Sequence, residues 1–553
     1  MATTLDDLLD ALVVPPAFAR YDRITDTATL SDVRAWKSRL LPTLSQLDVS
    51  SSSLSTAERA KLVRVLAPLT ATAPWTSSKS RTLAATLLAT ISPTPTLVTY
   101  TLSSVVKPLF AATPHPRLHL ATARVLARPA DTQDTYHHQP WKDCPGLEEV
   151  LRWCILNTQS PTYEQIWPLI LPPTMTFLDD YEVPYKVLGV RLISDMLTCV
   201  PSELLLRTGV DALLFNSLTS ALNHLRDQST PELIRTVVPT TLQLIDLTTP
   251  SPFPNPSPFP LSTDGTKGAS STDLSLSLSP SLQKSLTTRF NRLSTLLSSS
   301  ILGTVILYTP TVVPSEPAPT LDPFSDPEHV ASDSGSEPFT IRPVQEAKPS
   351  THVPHPTLVA ASHVLPPVIS ALGVGAARFL KGIVPVVVGW LALPISTPGS
   401  SHSTIIPTPV DPSEGEKKTG QAQVNINEPL ALHLAALHVV NVLIDTCPSR
   451  IARWSTTITD GLARCWVGCV DAVSTDTAPP RLEVLRGRLQ EVAVELATAC
   501  PRVVRNEFTQ LLEVDQTLFD GLVGSIYTAQ CDDPTLGVVA MNNSGNATSE
   551  IVS

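Results

Sequence analysis

The sequence predicts an all-α protein, an α-helical repeat solenoid with long disordered Pro/Ser-rich insertions. Three observations predict it. Apolar residues recur at three- and four-residue spacing almost wherever the chain is not rich in Pro and Ser, which is the signature of helices with one buried face. Aromatic residues make up only 5% of 553 positions and Gly numbers 21, so the 42% hydrophobic content comes mainly from Leu, Val, Ile and Ala, a mix suited to helices packed on helices. Pro numbers 53, roughly twice the ~5% average usage, and is gathered into linkers, so ordered blocks should alternate with insertions.

The first block, 1–248, carries stripes such as Leu30, Val33, Leu40, Leu44 and Leu47, then Leu213, Leu218, Leu222 and Leu225. Pro129, Pro201 and Pro231 punctuate it, each stopping one helix and starting another, so consecutive helices should pack antiparallel. Residues 249–280 are Pro/Ser-rich and aperiodic, too poor in apolar surface to offset the entropy of ordering. A single long helix is expected over 281–308, and a second, acidic and Pro-rich insertion over 309–356. A helical hairpin follows at 357–395, a linker at 396–427, a C-terminal helical block at 428–530 and a frayed tail at 531–553. The C-terminal block keeps its period through Ile451, Trp454, Ile458, Leu462, Cys465 and Cys469, and again through Leu482, Leu485, Leu489, Val492 and Leu496.

The strongest local signal is "IWPLILPPTMTFLDDYEVPYKVLGVRLISDML". Trp167, Leu171, Met175 and Leu178 share one face of a first helix that Pro172 and Pro173 should bend. Leu188, Leu192, Met196 and Val200 share a face of a second helix, which Pro184 can open because its missing N–H has no intrahelical partner there. Asp179 and Asp180 form the corner between them, Lys186 projects from the first turn of the second helix toward them or toward a neighbouring repeat, and Gly189 offers close backbone approach. A Pro-bearing helix, an Asp at the corner and a basic residue early in the second helix resemble a HEAT repeat. Such helix pairs bury their faces only by stacking.

Three patches in order extend the resemblance. Leu171–Leu197 is followed by "LPPVISALGVGAARFLKGIVPVVVGWL" (Leu365–Leu391) and "HVVNVLIDTCPSRIARW" (His438–Trp454). Together they resemble the Tti-two family, whose pattern runs Pro, Leu-Asp-Asp, Lys, Gly, Leu; then Leu-Gly before an aromatic-Leu-Lys step; then a Cys-Pro-x-Arg-Ile turn. The resemblance implies a subunit of the Triple T complex, with Tel-two and Tti-one homologues as partners. It further implies work with the Hsp90 machinery to mature phosphatidylinositol 3-kinase-related kinases of the TOR, ATM and ATR types.

Several residue clusters are of types that can carry chemistry. Asp179 and Asp180 have no nearby His in sequence to make them an acid–base pair, and capping or laddering explains them. Cys465 and Cys469 lie one turn apart on an apolar stripe with no second pair at zinc spacing, so buried thiols are expected. His137, His138 and Cys144 read as loop, and Gly373 and Gly375 read as close helix packing rather than a dinucleotide fingerprint. No cofactor and no enzymatic activity are expected. A net charge of −11 argues against nucleic acid. Arg378, Lys381 and Pro385 interrupt the apolar stretch Val364–Ile395 and argue against a membrane span.

The acidic N-terminus lacks a secretory pattern, so the expected location is the cytoplasm, with the nucleus as a second compartment. Arg450, Arg453, Trp454 and Trp466 are candidate partner contacts, since Trp and Arg anchor interfaces. Ser334, three residues before Glu337, is a candidate phosphosite. The competing reading is a HEAT-type transport or phosphatase-scaffold protein gripping cargo in a concave groove.

Overall fold

The computed structural model describes residues 4–47, 54–111, 114–119, 121–127, 139–249, 280–309, 355–395, 428–473 and 480–526. Ser334, His137, His138 and Pro129 lie outside them, as do all but the margins of the three Pro/Ser-rich segments and the tail after residue 530. Among the described residues the architecture is all-α: helices, short 3-10 and π turns, and one isolated bridge between Leu118 and Val125. Contacts divide the chain into two units, Met1–Ile301 and Leu302–Ser553.

The first unit holds α1 (Leu5–Leu12), α2 (Thr27–Ser45), α3 (Thr56–Leu66), α4 (Ser78–Ala89), α5 (Pro95–Thr101), α6 (Lys107–Phe110) and α7 (Leu147–Leu156). After these come α8 (Ser160–Leu178), α9 (Val183–Cys199), α10 (Ser202–Thr208), α11 (Val210–Ala221), α12 (Thr230–Thr248) and α13 (Pro280–Thr295). Local chemistry sets several starts. Thr4 and Asp7, and Ser55 and Glu58, form reciprocal capping boxes, and Asp26 caps the N–H groups of Ala28 and Thr29.

Helix α8 runs on through Pro168, Pro172 and Pro173, and the hydroxyls of Thr174 and Thr176 donate back to the carbonyls of Ile170 and Pro172. Its partner α9 packs against α7, α8 and α12. It is therefore buried on more than the face its sequence stripe marks: Val187, Val190 and Ile193 are as enclosed as Leu192 and Met196.

Polar side chains tie these stacked helices together. Arg152 of α7 bonds Asp195 of α9 at 2.8 Å, Arg191 of α9 pairs with Glu232 of α12, and Ser194 donates to Gln243 at 3.1 Å. Helix α13 is fastened to the same array by two arginines. Arg292 meets Asp211 at 2.6 Å with both side chains largely buried, lies over the Phe215 ring, and donates to Thr248. Arg289 meets Asp246 at 2.7 Å and donates to the Thr249 carbonyl.

The second unit comprises α14 (Leu302–Tyr308), α15 (Pro356–Leu372), α16 (Leu380–Leu391), α17 (Glu428–Thr446), α18 (Pro448–Ile451), α19 (Ser455–Val473), α20 (Pro480–Ala499), α21 (Thr509–Val514) and α22 (Gln516–Phe519). Its packing makes two layers: α17 lies between α15 and α20, and α19 lies on α16. Leu365, Ile369, Leu443, Leu462, Leu485 and Leu489 are at most 1% exposed in its core.

Two helical runs, Leu282–Tyr308 and Pro356–Leu391, are long and apolar enough to cross a membrane by length and composition. The second is divided into α15 and α16 by a 3-10 segment, Gly373–Phe379. In the second unit the apolar faces of α15 and α16 pack on α17 and α19.

Candidate functional site

Helix α8 ends at Leu178 and α9 begins at Val183, with Pro184 in its first turn. The carboxylate of Asp180, 2% exposed as a residue, closes the turn that leads into α9: Oδ1 accepts the Glu182 N–H at 2.8 Å, the side-chain-to-backbone closure typical of Asx turns. Its charge is met from 38 positions upstream. Nζ of Lys142, on the 3-10 segment Pro140–Asp143, lies 3.0 Å from Oδ1 and 2.9 Å from Oδ2, and 2.9 Å from Glu182.

Three rings close around the ammonium: Tyr181 at 4.3 Å, Tyr185 at 4.7 Å and Trp141 at 5.3 Å from ring centre to Nζ. Burial works against the Lys142 charge, but the hydrogen bonds and charges of Glu182 and Asp180 outweigh it and raise its pKa. Burial likewise opposes the Glu182 charge, and the bond and charge of Lys142 prevail and lower its pKa.

Lys186 does not form the expected pair with the corner carboxylates. It is 6% exposed and donates to the Leu178 carbonyl at 3.3 Å. The last carbonyls of α8 carry the negative end of the helix dipole, and Lys186 folds beneath them. Burial depresses its pKa, opposed by the charges of Asp179 and Asp180.

Asp179 turns elsewhere. Its Oδ2 lies 3.0 Å from Nε2 of His115 and accepts from the Ser217 hydroxyl at 3.3 Å. Serine, histidine and aspartate thus meet, but the serine is bonded to the aspartate and not to the histidine, so no nucleophile is activated. Gly189 sits where α9 crosses α8: a Cβ there would lie 2.3 Å from the Leu178 nitrogen. Pro172 is inside α8, two turns before the corner.

Beside the corner opens a cleft of about 300 Å³, lined among others by Trp75, Trp141, Lys142, Glu148, Glu182 and Tyr185. Glu148, in the first turn of α7, is partly open to it. Burial pushes its carboxyl up to about 7, and the backbone N–H groups of Glu148 and Gly146 and the charge of Arg191 offset that only in part. A raised acid means the folded state holds more protons than the unfolded one between the ordinary value of 4.5 and about 7, so folding stability falls as pH rises through that window. Glu148→Gln should accordingly raise the melting temperature at pH 8 and leave it unchanged at pH 4. Equal shifts at both pH values would show that the gain is not electrostatic.

In the second unit Arg450 and Arg453 are exposed and Trp454 is half-buried on the turn after α17. Trp466 is a correction: at 1% exposure, with its indole N–H donating to the Leu518 carbonyl at 2.8 Å, it belongs to the core and offers no surface to a partner. It stands one residue from the Cys465 stripe, but α19 is covered by α16 and also by α20 and α22, so more than one face is enclosed. Cys465 and Cys469 are buried, and among the described residues no cluster of His, Cys, Asp and Glu is arranged to hold a metal ion.

The residues missed from sequence are Lys142, His115, Glu182, Tyr185 and Glu148. Glu182 and Tyr185 lie within the stretch that carries the Asp179–Asp180 corner, whereas Lys142, His115 and Glu148 are distant from it in sequence.

Comparisons place these features in a family. The model of the Tti2 family matches residues 62–398, more than half of the chain, and takes in the Asp179–Asp180 corner and the Leu365–Leu391 hairpin but not the Cys447 turn. TELO2-interacting protein 2 of Rattus norvegicus is 30% identical over 152 residues, 28% of this chain and 27% of the relative. The Homo sapiens protein of the same name is 28% identical over 176 residues, 32% of this chain and 31% of its own length. The chain thus spans under a third of the curated relatives it matches.

Among solved structures, the karyopherin Kap121p bound to the extreme C-terminus of the phosphatase Cdc14p aligns with 92% of this chain and 40% of its own, at 11% identity and a TM-score of 0.36. A likeness that loose carries no argument. The family match spans both the corner and the hairpin described above, and the chain belongs to the Tti2 family.

Proposed function

We propose that this chain is a non-enzymatic scaffold subunit that assembles with a Tel-two-type protein. The observation that carries the reading is the family match over 62–398, joined to relatives whose name describes them as interactors of TELO2. The geometry is in keeping with it. The Asp180 and Glu182 carboxylates are met by Lys142, and Ser217, His115 and Asp179 are bonded in an order that activates nothing.

In fuller form the proposal is a Triple T subunit in the cytoplasm and nucleus, also holding a Tti-one homologue. Together with the Hsp90 machinery that complex would support the stability of TOR-, ATM- and ATR-type kinases. Affinity purification of the full chain tests it. Recovery of Tel-two and Tti-one homologues is expected, with a fall in the levels of those kinases on depletion. Recovery of a Ran-type GTPase or phosphatase subunits in their place would overturn the assignment.

A further inference from the structure

Three turns between helices of the second unit meet at one end of its stack. Cys447, just after α17, places its thiol 3.9 Å and 4.0 Å from the carbonyls of Gly373 and Val374, just after α15. Ser455 and Thr456, on the far side of the α17 turn, donate to Glu507, beyond the end of α20, at 2.8 Å and 3.0 Å. The C-terminal ends of α15, α17 and α20 therefore point the same way.

Each turn carries two basic residues three positions apart: Arg378 and Lys381, Arg450 and Arg453, Arg502 and Arg505. All six are exposed, in a chain of net charge −11. Two of the turns begin with the same Cys-Pro step, at Cys447 and at Cys500.

Helix stability explains only two of the six. A cation just past a helix C-terminus is favourable, and Arg450 and Arg502 stand in that place. Lys381, Arg453 and Arg505 instead sit where α16, α19 and the run into α21 begin, and a cation there opposes the helix dipole. A local rule broken three times at equivalent places, without an intramolecular reason, points to a use outside the fold. Val374, 74% exposed, and the half-buried Trp454 lie among the bases and give the end an apolar centre with a charged surround, the anatomy of a protein interface.

We propose that this end of the second unit docks an acidic segment of a partner protein, its carboxylates met by Lys381, Arg450, Arg453, Arg502 and Arg505 and an apolar residue set against Val374 and Trp454. The proposal rests on the reading of the chain as an assembly subunit. A protein suits the face better than nucleic acid, because Asp445 near the end of α17, Glu495 near the end of α20, and Glu507 put carboxylates among the bases. These would repel an unbroken run of phosphates but can be bypassed by carboxylates spaced along a peptide.

The test uses the full chain and a fluorescein-labelled peptide of alternating Glu and Leu, followed by anisotropy, with a 20-base-pair duplex as the competing class. Wild type should bind the peptide, more weakly as salt rises. The double variants Arg450→Glu/Arg453→Glu and Arg502→Glu/Arg505→Glu should each bind about tenfold more weakly or worse, with unaltered melting. Arg34→Glu/Arg39→Glu, in the first unit, should match wild type. Failure of wild type to bind, equal binding by the reversed variants, or tighter binding of the duplex through the same residues would each overturn the proposal.

Affinity purification of the same variants separates the two readings. Partners retained by wild type and lost from the reversed variants support both. Partners retained by all variants sink the docking face alone. If wild type recovers no Tel-two homologue, the assembly reading falls and the peptide measurement still decides the face.

Discussion

Replacing Gly189 by Ala should unfold the first unit at markedly lower denaturant, even though alanine is the better helix former by about 1 kcal/mol. The added Cβ would lie 2.3 Å from the nitrogen and 2.6 Å from the Cα of Leu178, and 2.7 Å from the carbonyl carbon of Phe177. These are main-chain atoms of α8, so no rotamer change relieves the clash. The two helices must part by about 1 Å to restore ordinary contact, and doing so loosens Leu178, Met175, Leu192 and Met196, all at most 2% exposed. Overpacking commonly costs ~1–3 kcal/mol. A backbone obstacle should reach or exceed the upper figure, read as a shift in urea midpoint without a change in slope. A variant within about 0.5 kcal/mol of wild type would mean that α8 and α9 approach less closely than described.

Lys142→Met should be comparably damaging, for an electrostatic reason. The Asp180 side chain is fully enclosed, and removing its cation leaves a buried carboxylate unpaired, a change that costs roughly 3–5 kcal/mol. The pH dependence distinguishes this from lost packing. Glu182 has its pKa lowered from an ordinary 4.5 in the folded state, so its share of the stability is present above that value and disappears as pH falls below it. The deficit of Lys142→Met should be largest at pH 7 and smaller at pH 4, and Asp180→Asn in the same chain should return part of what was lost. A deficit of the same size at both pH values would leave the carboxylates out of the account.

The helices were legible because burial on one face imposes a period that any window of the chain displays. Val33, Leu40 and Leu44, or Leu485, Leu489 and Leu496, need no partner sequence to be recognised, and all are buried. Central helices are harder. The surroundings of α9 and α19 cover more than one face, and a stripe cannot say whether Lys186 or Trp466 is inside or out.

The corner was located from its residue types, but its charge partner was not. Lys186 was near in sequence, whereas Lys142 reaches Asp180 only because α7 and α8 fold back between them, and no spacing rule joins positions 142 and 180. The basic end of the second unit was half visible for the same reason. Arg450 and Arg453 stood out on one turn, and their company with Arg378 and Arg502 exists only once α15, α17 and α20 are aligned.

The fastening of α13 has a bearing on how such a chain changes over evolutionary time. Arg289 holds the Thr249 carbonyl at 2.9 Å and Arg292 holds Thr248 and Asp211, so α12 and α13, the helices on either side of 250–279, are fastened directly to each other. As a general rule, closing a flexible chain between two fixed points costs only about 0.6 kcal/mol more per doubling of its length. Lineages can therefore gain or lose sequence at this point while the helices around it stay in register. The same position is a natural port for splicing in a fluorescent or affinity module without disturbing the array.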